Sequence, residues 1–261
     1  MITIPNAERK RQPYYRSAKS IMKKTLSSYS DDLCKRLRTC TDVKGMILES
    51  EKPVKSEPIE KALKQIYGKT GKAFAGMILK EFSKRKALDT TMRGKVETDE
   101  WLQYMNQFVK SRLGERIKII TGTTEELFKQ AVRNITDKGL QEGLSVYQMT
   151  KEIQKDLDIS NLYRAERISR TEVGSASNEA SFAGAKTLGE SLRKVWMGYN
   201  DDRERDSHIA LNGTTIEMDD EFMPGLAYPC DPNGDAEEVI NCRCSIGYEE
   251  KETEDIEIGR F

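Results

Sequence analysis

Apolar residues recur every three or four positions through much of the chain, which is the spacing of one face of an α-helix. Four segments show this spacing most clearly: residues 59–82, 101–109, 127–135 and 146–157. The face at 101–109 is rich in aromatic side chains, which lie in a helical core far more often than in a cofactor site. The pattern therefore predicts a mainly helical body.

Two segments have the spacing of a capping box, in which a Ser or Thr and a Glu or Gln three residues later satisfy the first amides of a helix. These are Thr123-x-x-Glu126 and Ser145-x-x-Gln148, so we predict that a helix begins at each, with Gly139 and Gly143 ending the first. The outline also fits a helix-turn-helix that reads DNA. The near-neutral local charge favours a plain helical hairpin.

Small residues mark a further helix, predicted from Asn161 to about Leu188. They recur at Ala165, Ser169, Ala176, Ala180 and Ala183. Small side chains let another backbone approach closely, so we expect this helix to pack along its length against a neighbour.

The pattern changes after Gly189. The residues at 194–197, 214–217 and 242–248 predict strands, and residues 203–211 fit a short helix. Gly and Pro residues between them mark an irregular loop. The fold class is therefore α+β, with a mainly helical N-terminal body and a small C-terminal mixed α/β module.

Charge divides the chain although the formal net charge is zero. Basic residues exceed acidic ones by 13 in residues 1–95, whereas acidic residues lead by 2 in 96–190 and by 11 in 191–261. Such a split suggests two partners of opposite sign, or chain ends that attract each other. With the helical pattern it predicts four parts: a basic, loosely ordered arm over 1–58, a helical domain over 59–160, the C-terminal module over 161–248 and an acidic tail over 249–261.

The arm is a candidate nucleic-acid interface, because basic side chains release counterions when they meet phosphate and tyrosines stack on bases. The candidate residues are Arg9, Lys10, Arg11, Lys23 and Lys24, with Tyr14, Tyr15 and Tyr29 interleaved in the same region. A solvated helical arm that docks on an acidic protein surface explains the same charge, and no base-reading motif accompanies it.

The sequence predicts neither a membrane span nor an export signal. It has no apolar run of about 18 residues, and its N-terminus lacks the apolar stretch of a secretory signal. The five cysteines are therefore expected to be reduced rather than bridged.

The C-terminal module holds the single histidine and three of the five cysteines. His208, Cys230, Cys242 and Cys244 would supply the imidazole and thiolate ligands that zinc prefers. Alternate residues of a strand share a face, so Cys242 and Cys244 can present two sulfurs together. Buried cysteines that pack as small apolar residues, beside a histidine with structural hydrogen bonds, explain the same set. A disulfide from Cys230 to Cys242 or Cys244 is a third alternative.

Residues 201–208 alternate acidic and basic side chains. In an enzyme, His208 would be a base oriented by an Asp, with Arg203 or Arg205 holding an anion. In a structural role, the charges would form a buried ion-pair knot that pins the strands. The structural role is favoured because no activated nucleophile, phosphate loop or pair of carboxylates accompanies the histidine.

An ordered set of residues joins these elements into one signature. It comprises Arg170, Thr171, Glu172, Asn178, Ala180, Lys194, Trp196, Asp201, Arg203, Arg205, His208, Leu211, Gly213, Phe222, Pro229, Asp231, Pro232, Asn241, Cys242, Arg243 and Cys244. In order and spacing it resembles the phage head morphogenesis family named after protein F of phage Mu, the minor head or minor capsid proteins. The resemblance covers about the C-terminal third directly and residues 123–160 less specifically.

The resemblance implies a virion protein present in few copies. Such a protein would associate with the portal protein and other head proteins during assembly in the host cytoplasm, stay with the packaged DNA and take part in its delivery. It would not be an enzyme, and the signature residues would determine the fold. The basic N-terminal region would meet DNA or an acidic portal surface.

Two departures from the family pattern limit these implications. The family has no fixed cysteine at the position of Cys230, so a four-ligand zinc site would be peculiar to this chain or absent. The chain also ends soon after Cys244, without room for the enzymatic or toxin domain that some relatives append. Two rival hypotheses stay open: an enzyme that acts on nucleic acid or a nucleotide through His208, and a DNA-binding protein that uses the basic N-terminal region.

Overall fold

A computed structural model describes residues 1–85, 99–187 and 192–251. The described elements are, in order, β1 (Ile2–Thr3), α1 (Ala7–Leu37), α2 (Val43–Ser50), α3 (Glu57–Arg85), α4 (Asp99–Gln141), α5 (Val146–Lys186), β2 (Leu192–Met197), α6 (Asp206–Leu211), β3 (Thr215–Glu217), α7 (Ala236–Val239) and β4 (Ser245–Glu250). The α+β prediction is confirmed, because long helices accompany one small antiparallel sheet. None of the described helices is long and apolar enough to cross a bilayer.

The chain divides into two compact units, each assembled from segments that are distant in sequence. The sheet unit comprises Met1–Arg16, Gln65–Ser111 and Arg170–Phe261, and the helical unit comprises Ser17–Lys64 and Arg112–Ser169. The sequence predicted consecutive domains instead, because an apolar pattern reports which face of an element is buried but not which distant segment covers it. Most of the predicted acidic tail lies outside the described residues, which end at Lys251.

The N-terminal segment is helical, which corrects the prediction of a loosely ordered arm over residues 1–58. In the helical unit, α1 buries side chains at the spacing of a helix face: Ala18, Met22, Leu26, Tyr29, Leu33 and Leu37. Asn161 on α5 donates from Nδ2 to the Ser30 hydroxyl at 2.6 Å, and Lys19 pairs with Glu166 at 2.9 Å. The dense charge around this apolar stripe concealed it in the sequence.

One of the two predicted helix starts is confirmed. The Ser145 N–H donates to Gln148 Oε1 at 2.9 Å and the Gln148 N–H donates to the Ser145 hydroxyl at 3.3 Å, so α5 begins in a capping box. Thr123 instead lies inside α4, where its hydroxyl donates to the Ile119 carbonyl at 2.8 Å. A Thr within a helix satisfies its hydroxyl on the preceding turn, so spacing alone did not mark a start. The α5 helix also runs through Asn161 without a break.

The sheet has four antiparallel strands in the order β1-β4-β2-β3. Three of its strands and α6 lie where the sequence predicted three strands and a short helix. The fourth strand comes from the N-terminus, where Ile2 pairs with Tyr248 and Thr3 with Gly247. A strand of two residues has no periodicity to detect, so the sequence did not predict it. The basic and acidic ends of the chain therefore meet in one sheet.

In the sheet unit, α5 is buried on all sides. Every residue from 171 to 185 is buried. A methyl carbon at Gly174 would lie 3.0 Å from Cys230 Sγ, and one at Gly184 would lie 3.0 Å from a methyl carbon of Ile78. The expectation that small residues let neighbours approach this helix closely is confirmed.

Candidate functional site

His208 and the Cys-x-Cys pair lie together in the sheet unit. His208 is on α6, and the segment that leads into β4 presents Cys242 and Cys244 to the histidine. The imidazole Nδ1 lies 3.6 Å from Cys242 Sγ and 3.5 Å from Cys244 Sγ. None of the three residues is more than 2% exposed. We call these three residues the His-Cys trio.

Cys230 lies beside the trio. Its thiol donates to the backbone carbonyl of Cys242 at 3.4 Å. Among the described residues, the group whose donor atoms all lie within 4.8 Å of one another holds His208, Cys242 and Cys244. All five cysteines are free thiols. The structure thus brings three of the four predicted metal-ligating residues around one point and leaves Cys230 next to them.

Two glutamates that the sequence did not single out complete the surroundings of the trio. Glu204 Oε1 accepts from the Cys244 thiol at 3.3 Å and from the Tyr199 N–H at 3.0 Å. Glu238 Oε2 lies 2.8 Å from His208 Nε2, in a contact without hydrogen-bond alignment. Both are acidic residues in an acidic region, so no sequence signal distinguished them from their neighbours.

Apolar side chains enclose the trio. The Trp196 ring meets the His208 ring edge-on, with centroids 5.0 Å apart and an angle of 66° between the planes, and Phe222 packs against Trp196 at 5.3 Å. Leu226 and Val239 belong to the same buried cluster. This wall keeps water and dissolved substrates away from the imidazole and both thiols.

The neighbouring thiols differ in acidity. Hydrogen bonds from Cys230 and Cys244, together with His208, hold the pKa of Cys242 well below its usual range despite burial. The hydrogen bond with Cys242 and burial raise the pKa of Cys230 and of Cys244. Cys242 is therefore the thiol of this group whose acidity its surroundings favour most.

One arginine from α1 joins several signature residues. Arg11 is 1% exposed, and its guanidinium donates to the Ser177 hydroxyl and to Asn178 Oδ1, both at 2.7 Å. It also donates to the backbone carbonyls of Arg243 at 3.0 Å and Cys244 at 3.2 Å. The prediction that Arg11 belongs to a nucleic-acid interface is wrong, because its donors are used inside the protein.

The other candidates for nucleic-acid binding differ in exposure. Arg9, Lys23 and Lys24 are exposed, and Lys10 is half-buried. Tyr15 and Tyr29 are buried, and Tyr14 packs edge-on against Phe74 with ring centroids 5.9 Å apart. Tyr15 and Tyr29 therefore do not stack on bases as the sequence suggested, since their apolar surfaces face the core.

Two signature residues of α5 hold loops in place. Asn178 Nδ2 donates to the Pro229 carbonyl at 2.7 Å and to the Cys244 carbonyl at 3.1 Å. The Thr171 hydroxyl accepts from the Asn241 N–H at 3.1 Å. Asn241 has a φ of +60°, a left-handed conformation that Asn tolerates better than most residues. These contacts fix the segment that carries both trio cysteines.

Two further signature residues are buried charges. Glu172 Oε2 accepts from the Tyr67 hydroxyl at 2.8 Å. Lys194 donates from Nζ to the Asp220 carbonyl, and its ammonium lies 5.0 Å from the centroid of the Phe182 ring. Burial lowers the pKa of Lys194 to about 8.

The alternating charges at 201–208 do not form the predicted buried knot. Asp201 makes a bidentate ion pair with Arg243, and these hydrogen bonds hold the pKa of Asp201 below its usual range. The Arg203 side chain is 72% exposed, whereas Arg205 donates to the Ile240 carbonyl at 2.5 Å. Residues 201–204 form a turn in which Asp202 and Arg203 are exposed to solvent.

The part of the chain that holds this site matches a known protein family. Residues 130–247 match the family described as Phage Mu protein F like protein. This stretch belongs to the Mu F-like family. The Mu F-like region contains the whole His-Cys trio and extends further toward the N-terminus than the signature does. The resemblance to this family is thereby confirmed over these residues.

Two curated proteins are similar to parts of the chain. The NAD(+)--arginine ADP-ribosyltransferase EFV of Enterococcus faecalis (strain ATCC 700802 / V583) is 32% identical over 126 residues, which are 46% of this chain and 26% of that protein. Uncharacterized protein YqbB of Bacillus subtilis (strain 168) is 26% identical over 167 residues, which are 61% of this chain and 52% of that protein. The chain thus spans 26% of one relative and 52% of the other. No solved structure matches the chain.

Proposed function

We propose that the protein is a minor head protein of a tailed phage and joins the portal vertex during head assembly. The observation that carries this proposal is the Mu F-like match over residues 130–247. Other head proteins are its partners, and the virion is its location. Its association with the portal protein, its low copy number and a part in DNA delivery are the finer elements of the proposal.

The site geometry supports a structural role for the signature. The trio is at most 2% exposed, and Arg11, Asn178 and Thr171 each use their polar atoms to join two elements. A catalytic group must contact its substrate, whereas a buried group stabilises the surface around it. On this proposal the signature residues stabilise the fold of the sheet unit, and other head proteins bind the surface of that unit.

Quantitative mass spectrometry of purified virions and precursor heads tests this function. We expect few copies of the chain per particle relative to the major capsid subunit, in both kinds of particle. We also expect the chain to co-purify with the portal protein when both are expressed together. Absence of the chain from virions and from precursor heads would remove the head role.

An enzymatic alternative rests on the name of the E. faecalis relative. The aligned part is 26% of that protein, so its activity is only a hypothesis for this chain. Glu238 supplies the neighbouring carboxylate of the enzymatic hypothesis, but the burial of His208, which is 1% exposed, counts against catalysis. We expect no transfer of ADP-ribose from labelled NAD(+) to arginine-containing acceptors. Turnover that is lost in a folded His208→Ala variant would establish the alternative.

The exposed basic residues of α1 support contact with DNA. Each phosphate contact contributes about 0.9 to the slope of log affinity against log salt concentration. We therefore expect Lys23→Ser with Lys24→Ser to weaken duplex binding and to lower that slope. Lys151→Ser with Lys155→Ser is a matched control, since both lysines are exposed on α5. Equal effects of the two pairs would show that binding follows net charge rather than this surface.

A further inference from the structure

We propose that the protein holds a structural zinc ion between α6 and the segment that leads into β4. His208 Nδ1 and the sulfurs of Cys242 and Cys244 are three of its ligands, and the Glu204 carboxylate is the fourth. This inference goes beyond the head role and does not depend on it.

The two distances from His208 Nδ1 to the trio sulfurs match those of a tetrahedral zinc site. Zinc lies about 2.3 Å from sulfur and about 2.0 Å from an imidazole nitrogen. Two such ligands at the tetrahedral angle are about 3.6 Å apart. Nδ1 of His208 lies 3.6 Å from Cys242 Sγ and 3.5 Å from Cys244 Sγ. Since the two sulfurs also lie within 4.8 Å of each other, one ion placed between the three atoms can bind all of them.

Hydrogen bonding alone explains this arrangement poorly. A neutral imidazole nitrogen that lacks a proton has one lone pair, which lies in the ring plane. The Cys244 thiol donates its one proton to Glu204, yet its sulfur still lies 3.5 Å from Nδ1, and a metal ion that accepts electron pairs from all three atoms explains this approach.

Glu204 is the candidate for the fourth ligand, and its side chain would have to move toward the ion, because its carboxylate lies outside the group whose donor atoms are all within 4.8 Å of one another. Its Oε1 lies 3.3 Å from Cys244 Sγ, close to the oxygen–sulfur separation of about 3.5 Å in a tetrahedral zinc site. The backbone N–H groups of Tyr199 and Asn200 donate to this carboxylate, and each oxygen has a second lone pair for a metal. Cys230 is the rival fourth ligand, but its thiol is directed at the Cys242 carbonyl.

The surroundings of the trio also suit a structural zinc. A histidine that binds zinc directs its other ring nitrogen at a carboxylate or carbonyl, which fixes the ring. Glu238 Oε2 lies 2.8 Å from His208 Nε2, so a small rotation of the imidazole would align this hydrogen bond, which is not aligned in the structure. The apolar wall around Trp196 excludes water, as a closed structural site requires. A zinc ion would thus join α6, the turn at Glu204 and the β4 segment.

The zinc content of the purified protein tests the proposal directly. The full chain, without a histidine tag, is reconstituted with zinc, and bound zinc is quantified by mass spectrometry. We expect about one zinc per chain, loss of stoichiometric binding in Cys242→Ser and Cys244→Ser, and affinity reduced more than tenfold in Glu204→Gln. Cys40→Ser is the matched control, because Cys40 lies outside the trio, and it should bind as the parent does. Equal binding by the Cys40 and Cys242 variants would overturn the proposal.

A second measurement uses the unaltered chain, so it tests the proposal even if the ligand variants fail to fold. Cobalt(II) bound in place of zinc shows intense visible bands in a tetrahedral site and sulfur charge-transfer absorption that grows with each thiolate. We expect a tetrahedral spectrum with two thiolates. The intensity of three thiolates would assign the fourth position to Cys230. If the chain binds no cobalt although all five of its thiols react with a thiol reagent after unfolding, the proposal is wrong. The trio is then only two packed thiols beside a histidine.

Discussion

Arg11 links residues that are far apart in the chain and is almost fully buried. Four acceptors face its guanidinium: the Ser177 hydroxyl, the Asn178 amide oxygen and two backbone carbonyls. Burying a charge is costly, but removing it leaves the Asn178 amide oxygen and the Arg243 carbonyl without this donor in a region that water does not reach. A planar fork with five N–H groups satisfies them together, which an ammonium on a flexible chain cannot do. This position therefore requires arginine, and not simply a positively charged side chain.

We expect Arg11→Lys to lower the free energy of unfolding by about 2–4 kcal/mol, because at least two buried acceptors lose their donor. Urea denaturation followed by circular dichroism measures the change. Arg9→Lys is the control, since Arg9 is exposed two positions away, and such surface changes stay within about 0.5 kcal/mol. If the two variants were equally stable, the hydrogen bonds of Arg11 would contribute nothing specific.

The ion pair between Asp201 and Arg243 predicts a pH dependence with a definite sign. The pKa of Asp201 is lowered in the folded protein by its hydrogen bonds with Arg243, so between the folded and unfolded pKa values the unfolded chain binds more protons. The stabilisation is therefore present above the ordinary Asp pKa of about 3.9 and lost as the pH falls through the folded value. We expect Asp201→Asn to be less stable than the parent at neutral pH, and the difference to vanish in acid.

Urea midpoints of the parent and of Asp201→Asn across this pH range measure that difference. Asp202→Asn removes an exposed carboxylate from the same turn and serves as the control. A gap between the parent and Asp201→Asn that stays constant down to the lowest pH would contradict the ion-pair explanation.

At the scale of elements, the buried half of α5 requires a glycine at position 174, where the loop that contains Cys230 crosses the helix. A methyl carbon at Gly174 would meet Cys230 Sγ at 3.0 Å and the Cys242 carbonyl oxygen at 3.5 Å. Gly68 on α3 is a helical glycine with nothing within 4 Å of the same position. The two glycines thus share secondary structure but differ in the space around them.

We expect Gly68→Ala to stabilise the protein by about 1 kcal/mol, because Ala is the better helix former. Gly174→Ala gains the same propensity but forces Cys230 to move, so we expect it to be about 1–3 kcal/mol less stable than Gly68→Ala. Thermal unfolding of both variants measures the gap. Equal stabilisation would mean that the Cys230 loop shifts at no cost.

The sequence predicted arrangements of residues that are close together in the chain better than contacts between residues that are far apart. Ser145 and Gln148 lie three apart at a helix start, so spacing alone predicted how this pair is arranged. Cys242 and Cys244 were expected to share one face of a strand, but β4 begins at Ser245, and the segment before it brings both sulfurs to His208. Arg11 lies 232 positions from Arg243, whose carbonyl it meets, and no periodic pattern reports such a partner. Thr123 had the spacing of a cap without being one, because side-chain spacing does not fix the backbone conformation.

At the scale of the molecule, the two ends of the chain belong to one folding unit. Residues 1–16 and 170–261 both contribute to the sheet unit, through the pairing of β1 with β4 and through Arg11. The opposite charges of the two ends favour their encounter, as the sequence suggested. The Mu F-like region at residues 130–247 therefore contains the signature but not all of the structure that holds it.

A variant that begins at Asn6 tests this dependence on the N-terminus. It lacks β1, whose Ile2 is 3% exposed, and the buried Ile4. We expect amide hydrogen exchange to accelerate in β4, which loses a hydrogen-bonded neighbour, and less in β2, which keeps its pairing with β3 on the far side. Pro5→Ala is the control, because Pro5 is exposed and lies outside β1. An unchanged exchange rate in β4 would show that the C-terminal module folds without the N-terminus, as consecutive domains would.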